Sequence, residues 1–170
     1  MFDTIAGLPL HPLIVHATEV VVPAAALAVA LAALWPAFRR WARFLPLALS
    51  LAALVLVPLS TESGESLKER IAGSSLIETH AQLAEGLLPW VAGLVVVAAV
   101  MLWWYWDEHT ATSPRAPKWV AIVLIVAAIV ASAGTVVQSV RIGHSGAAAV
   151  WSGRLASPGS TNGSGVSDQG

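Results

Sequence analysis

The sequence predicts an all-α fold, a transmembrane four-helix antiparallel bundle over residues 1–153 followed by a disordered tail over residues 154–170. Three observations predict it. Of the 170 residues, 56% are apolar and only 11% are charged, where an ordinary soluble domain is about 25% charged. Ala/Val/Leu-rich runs recur four times, each long enough for the ~20 residues a spanning helix needs. The connections between them are short, so an up-down-up-down bundle is the simplest packing.

The elements follow in order. Residues 1–10 are a short amphipathic lead-in. The first span is expected over 12–35. Pro12 suits a first helical turn, where its missing N–H costs nothing, and Pro23 marks an expected kink. Trp35, Phe38, Trp41 and Phe44 surround Arg39, Arg40 and Arg43, a mixture typical of the membrane–water interface. The second span is expected over 41–59. Residues 60–78 are polar. Ser66-Leu-Lys-Glu69 reads as a capping box and Gly73 as a stop, which predicts a short surface helix. Ser75-Leu-Ile-Glu78 is a second capping box at the start of the third span, expected over 79–106. Trp103-Trp104-Tyr105-Trp106 closes that span as interface anchors. A polar turn with two prolines, 107–117, leads to the fourth span, expected over 118–140. Residues 143–153 follow as a glycine-bounded segment, and the Gly/Ser/Asn/Asp-rich remainder is expected to be disordered. Each half is a helix pair, with no echo of sequence between the halves.

Composition also excludes several functions. A net charge of −1 offers no basic patch for nucleic acid. The absence of cysteine rules out disulfides, thiolate metal sites, c-type haem attachment and thiol redox chemistry. No phosphate loop, Gly-x-Ser-x-Gly, His-Glu-x-x-His or dinucleotide fingerprint is present. The N-terminus lacks the basic region and cleavage site of a signal peptide, and its first apolar segment is too long for one, so that segment is expected to remain in the mature protein.

The histidines carry the functional signal. Let side A be the membrane face holding the N-terminus. Up-down topology then places His11, His16, His80 and His144 near side A and leaves His109 alone on side B. Imidazole binds iron, copper and zinc, and bundle sites are built from side chains on facing helices. His16 and His80 are the expected ligands of b-type haem or of a metal, with His11 and His144 in reserve. The alternative for the same histidines is copper or zinc without electron transfer. A further alternative is a structural or accessory subunit with no cofactor, the histidines bonding only to helix ends and water. Intramembrane carboxylates pair or line wet pathways. Glu19 and Glu85, with Gln138, are therefore expected to orient the ligands or relay protons.

Leu8-Pro-Leu-His-Pro-Leu-Ile-Val-His16, Glu78-Thr-His80-Ala and Gly143-His-Ser-Gly-Ala-Ala-Ala-Val-Trp151 together resemble a family of small bacterial membrane proteins. That family is catalogued as a domain of unknown function and is sometimes fused to a Rieske iron–sulfur domain. The resemblance spans about residues 8–153. It departs after His16, where the family often has Phe-Pro and this chain has Ala17-Thr18, and after His80, where an asparagine is common and Gln82 and Glu85 stand here. The resemblance implies a bacterial cell membrane and redox work there. Because no Rieske domain is present here, the redox partner would be a separate membrane or extracytoplasmic protein. The favoured role is an electron-transfer or accessory membrane protein rather than an enzyme.

Orientation follows from basic residues in short connections. Side B has Arg39, Arg40, Arg43, Arg115 and Lys118. Side A has Lys68 and Arg70 in its loop, and Arg141 and Arg154 in the tail. The tight cluster after the first span places side B in the cytoplasm and both termini outside.

Overall fold

The computed structural model describes residues 4–5, 8–68, 74–110 and 118–155, with side chains over 11–68, 74–106 and 118–151. It contains a two-residue antiparallel pair, β1 (Thr4–Ile5) and β2 (Leu8–Pro9), and six helices. These are α1 (Leu10–Leu34), α2 (Pro36–Trp41), α3 (Leu45–Lys68), α4 (Ser75–Glu85), α5 (Leu88–Thr110) and α6 (Lys118–Leu155). Four stretches are long and apolar enough to cross a membrane: His11–Leu34, Leu45–Lys68, Ser75–Trp106 and Lys118–Trp151. The bundle closes as a ring in the order α1, α3, α5, α6, with α4 laid against α6.

Hydrocarbon gives helices no hydrophobic reason to associate, so close backbone approach and van der Waals contact must hold them. The core accordingly runs on small residues. Ala25, Ala26, Ala53 and Ala128 are fully enclosed beside Val22, Val29, Val91 and Leu94. Two buried hydroxyls bond within their own helices, Ser50 donating to the Pro46 carbonyl at 2.7 Å and Thr135 to the Ala131 carbonyl at 2.8 Å, while the buried Ser132 hydroxyl on α6 has no partner among the described residues. The large apolar side chains, including Leu27, Val96, Ile122 and Val130, point outward, as lipid solvation allows. On side B, Arg43 lies 4.8 Å over the Phe44 ring, and Phe44 meets Trp106 edge-on at 6.0 Å. That contact ties the start of α3 to the end of α5.

Four elements depart from the expectation. The second helix does not stop at Leu59 but continues through the polar residues to Lys68. Ser66 is therefore interior to a helix and donates to the Glu62 carbonyl at 3.2 Å instead of capping; Glu69 and Gly73 lie outside the described residues. The second cap is shifted by one: Ser74, not Ser75, is the N-cap, and its hydroxyl accepts from the Ile77 N–H. The third span is interrupted at Gly86–Leu87, between α4 and α5. The fourth helix runs unbroken through Gly143-His144-Ser145-Gly146, because two glycines spaced three apart do not outweigh the packing of that face. Its 38 residues measure about 57 Å at 1.5 Å per residue. The disorder expected of the tail falls, from residue 156 on, outside the described residues.

The α5–α6 contact yields a test. A Cβ at Gly134 would stand 2.1 Å from the Trp90 ring, whereas one at Gly143 meets nothing within 4 Å. Gly134→Ala is expected to cost roughly 1–3 kcal/mol through overpacking and to lower the thermal midpoint in detergent. Gly143→Ala is expected to leave the midpoint unchanged or raise it slightly, since a helical glycine gives way to a better helix former.

Candidate functional site

On side A the ends of α1, α3, α4 and α6 enclose a cavity of about 470 Å³. Each helix lines it with a stripe at three- and four-residue spacing. On α1 the stripe is His11, Val15, Thr18, Glu19 and Val22; on α4 it is Ile77, His80, Ala81, Ala84 and Glu85. On α3 it runs from Val57 to Lys68, and on α6 from Ser139 to Val150. The walls are mostly apolar. The continuation of α3 and α6 past their expected ends is what builds two of them.

Helix length fixes the level of this cavity. Ser139 lies 21 residues beyond Lys118, the first residue of α6, so it stands about 32 Å along the axis. The hydrocarbon layer is about 30 Å thick. The α6 wall of the cavity therefore stands at the headgroup level of side A and beyond, while Val22 and Val57, each 12 residues from the side-B end of its helix, carry its floor down into the hydrocarbon layer.

Two imidazoles face this space. His11 Nδ1 is 2.8 Å from Ser63 Oγ on α3, and the carbon edge of its ring lies against Gly64, where a Cβ would be 3.2 Å away. His80 repeats the arrangement: its Nδ1 is 2.9 Å from Ser145 Oγ on α6, and its ring edge lies against Gly146, where a Cβ would be 3.1 Å away. Both rings line the same cavity. Each comes from the side-A start of one span and is held by a Ser-Gly pair near the side-A end of the next span, His11 by α3 and His80 by α6. The halves thus share a structural echo that their sequences do not advertise.

The other expected residues are distributed as follows. His16 is exposed and absent from the cavity wall. It lies five residues from His11, about 140° further round the helix, and its Nδ1–H donates to the Pro12 carbonyl at 2.6 Å. His144 is also exposed and absent from the wall. The side chain of His109 lies outside the described residues. Glu19 and Glu85 line the cavity with exposed carboxylates. Lys68 pairs with Glu78, joining the end of α3 to α4. The structure therefore places His80 in the cavity with His11, not with His16.

Gln138 is buried and does something sequence reasoning missed. Its amide Nε2 donates to the Leu83 carbonyl at 2.6 Å. The break after Glu85 leaves carbonyls near the end of α4 without helical partners, and Gln138 answers one of them from α6. Gly86 permits this, since a Cβ there would stand 3.0 Å from that same amide nitrogen. Ser63, Gly64, Ser145 and Gly146 were also missed. Their available signal was a Ser-Gly pair near the side-A end of the second long helix in each half.

Residues 7–158 match the family model described as "Predicted membrane protein (DUF2231)". No curated protein and no solved structure matches the chain.

The Gln138 bond carries its own test. Gln138→Leu leaves the Leu83 carbonyl buried and unanswered, a loss of roughly 1–3 kcal/mol. The expected result is a lowered thermal midpoint together with faster amide exchange around Gly86, read by hydrogen–deuterium exchange in micelles.

Proposed function

Starting from a chain that belongs to the DUF2231 family of predicted membrane proteins, a domain of unknown function, we propose that the side-A cavity is built to take b-type haem for electron transfer, with His11 and His80 as the residues that would hold its iron. The observation that carries this reading is the pair of imidazoles from two different helices, lining one mostly apolar cavity. Haem brings four nitrogen ligands of its own, so two histidines from the chain would complete its iron. The cavity volume of about 470 Å³ falls within the range of cofactor sites, roughly 300–1,000 Å³. Gly64 and Gly146 leave room for the ring edges of His11 and His80 to approach α3 and α6. Haem supplies one-electron chemistry when bound; the chain supplies the two ligands, the apolar walls and the polar rim of Glu19, Glu65, Glu85 and Lys68.

Ligand number favours haem over a copper or zinc ion. Among the described residues no group of three or more His, Cys, Asp and Glu side chains is placed to hold a metal ion. A protein-built zinc site takes three or four such ligands. Two imidazoles fall short of that number, whereas haem iron arrives with its other ligands attached.

An absorption spectrum tests the reading directly. Purified protein reconstituted with haemin is expected to give a low-spin Soret band that shifts on dithionite reduction. His11→Ala and His80→Ala are each expected to abolish the low-spin form, while His16→Ala and His144→Ala retain it. A spectrum lost only in the His16 or His144 variants would move the site to those residues. Stoichiometric copper or zinc in a colourless protein would replace haem with a metal ion, and neither signal would leave an accessory subunit without cofactor.

The basic residues of the α1–α3 connection, Arg39, Arg40 and Arg43, support a cytoplasmic side B. The proposed site then faces outward, toward a membrane-bound or extracytoplasmic redox partner. A C-terminal alkaline phosphatase fusion is expected to be active and a C-terminal green fluorescent protein fusion dark. The reverse pair of results would put the cavity at the cytoplasmic face.

A further inference from the structure

The two histidine–serine contacts fix more than position. The hydroxyl of Ser63 has one hydrogen, and it is directed at the Ser60 carbonyl at 2.9 Å. The Ser63 oxygen can therefore only accept from His11, and the hydrogen on that bond belongs to Nδ1. The hydroxyl of Ser145 is committed in the same way, to the Ile142 carbonyl at 2.8 Å, so His80 also donates from Nδ1. The reverse arrangement would turn each serine oxygen's lone pairs toward a carbonyl oxygen under 3 Å away.

From this we infer that Ser63 and Ser145 are positioning residues, a matched pair of clamps that hold His11 and His80 as Nδ1–H tautomers and so present two unprotonated Nε2 lone pairs to one ligand. A neutral imidazole has one donor and one acceptor nitrogen, and the hydrogen bond made by one decides the role of the other. Ligating histidines are generally oriented through the second ring N–H in this manner. The clamp selects by chemistry. It takes an electron-pair acceptor, such as a metal centre, and disfavours a ligand that offers only carbonyl oxygens. The repetition of the clamp, one in each half of the chain, makes the two ligands alike in donor strength. The inference deepens the haem reading and names its positioning groups, but the tautomers exist with or without a cofactor.

Nitrogen-15 spectra of the full-length, histidine-labelled protein in micelles, without added cofactor and at a pH where the rings are neutral, read the tautomers. Signals are assigned by their loss in His11→Gln and His80→Gln. The expected result is a protonated Nδ1 and a bare Nε2 for both residues. Ser63→Ala is expected to release His11 alone toward the Nε2–H form, and Ser145→Ala to release His80 alone. Each change should also weaken haemin binding tenfold or more, in line with the loss of such supporting partners elsewhere. A protonated Nε2 on either ring in the unaltered protein overturns the inference, as does a serine variant that changes neither tautomer nor haemin affinity. If haemin fails to bind while both tautomers are as stated, the haem reading falls and the clamps stand.

Discussion

A backbone in hydrocarbon must answer its own polar groups, and this chain meets that constraint by changing its rules at one level only. Through the bilayer, α1, α3, α5 and α6 are continuous helices, and even the buried hydroxyls of Ser50 and Thr135 turn back onto their own helices. The single interruption inside a spanning segment is at Gly86–Leu87. There Gln138 reaches across to the Leu83 carbonyl. That bond answers a carbonyl left open by the break and, with the Lys68–Glu78 pair, helps fix α4 above α5. With it, α4 packs on α6 and brings His80 to Ser145. The placement of His80 thus draws on a glutamine outside the cavity wall.

The architecture was legible because apolar length is a crude and strong signal. Four runs long enough to span can pack in few ways when their connections are short. What was not legible was the continuation of helices beyond the bilayer. Residues 60–68 are polar, and polarity after an apolar run reads as a loop. Yet Ser60, Thr61, Gly64, Glu65 and Lys68 all fall on one stripe, and that three-and-four spacing was present in the sequence. Gly143 and Gly146 misled in the same direction. Glycine ends helices when the next residues need a left-handed turn; here it lies in mid-helix, with Gly146 against His80.

The candidate site was half legible. Grouping four histidines near one face needed only topology. Telling which of His11 and His16 lines the cavity needed the rotation of α1 about its own axis. The stripe through Val15, Thr18 and Val22 contains His11 and excludes His16. Tertiary packing sets that rotation, since α1 meets both α3 and α6. The serine clamps lie beyond pairwise sequence reasoning: His11 and Ser63 are 52 residues apart, and His80 and Ser145 are 65 apart.

The length of α6 has a practical side. A detergent belt or lipid disc grips about 30 Å of a spanning helix, while α6, with 38 residues, extends about 57 Å. Even at the ~20° tilt common to such helices, the axis would still rise about 53 Å. Well over a third of α6 therefore stands above the hydrocarbon layer, beside the upper turns of α3 and α4. Small membrane proteins resist crystallisation and particle alignment because the micelle hides nearly all of them. This one carries its own protruding handle, and an antibody fragment raised against that handle would sit beside the cavity, where its footprint would report directly on whether the mouth is open.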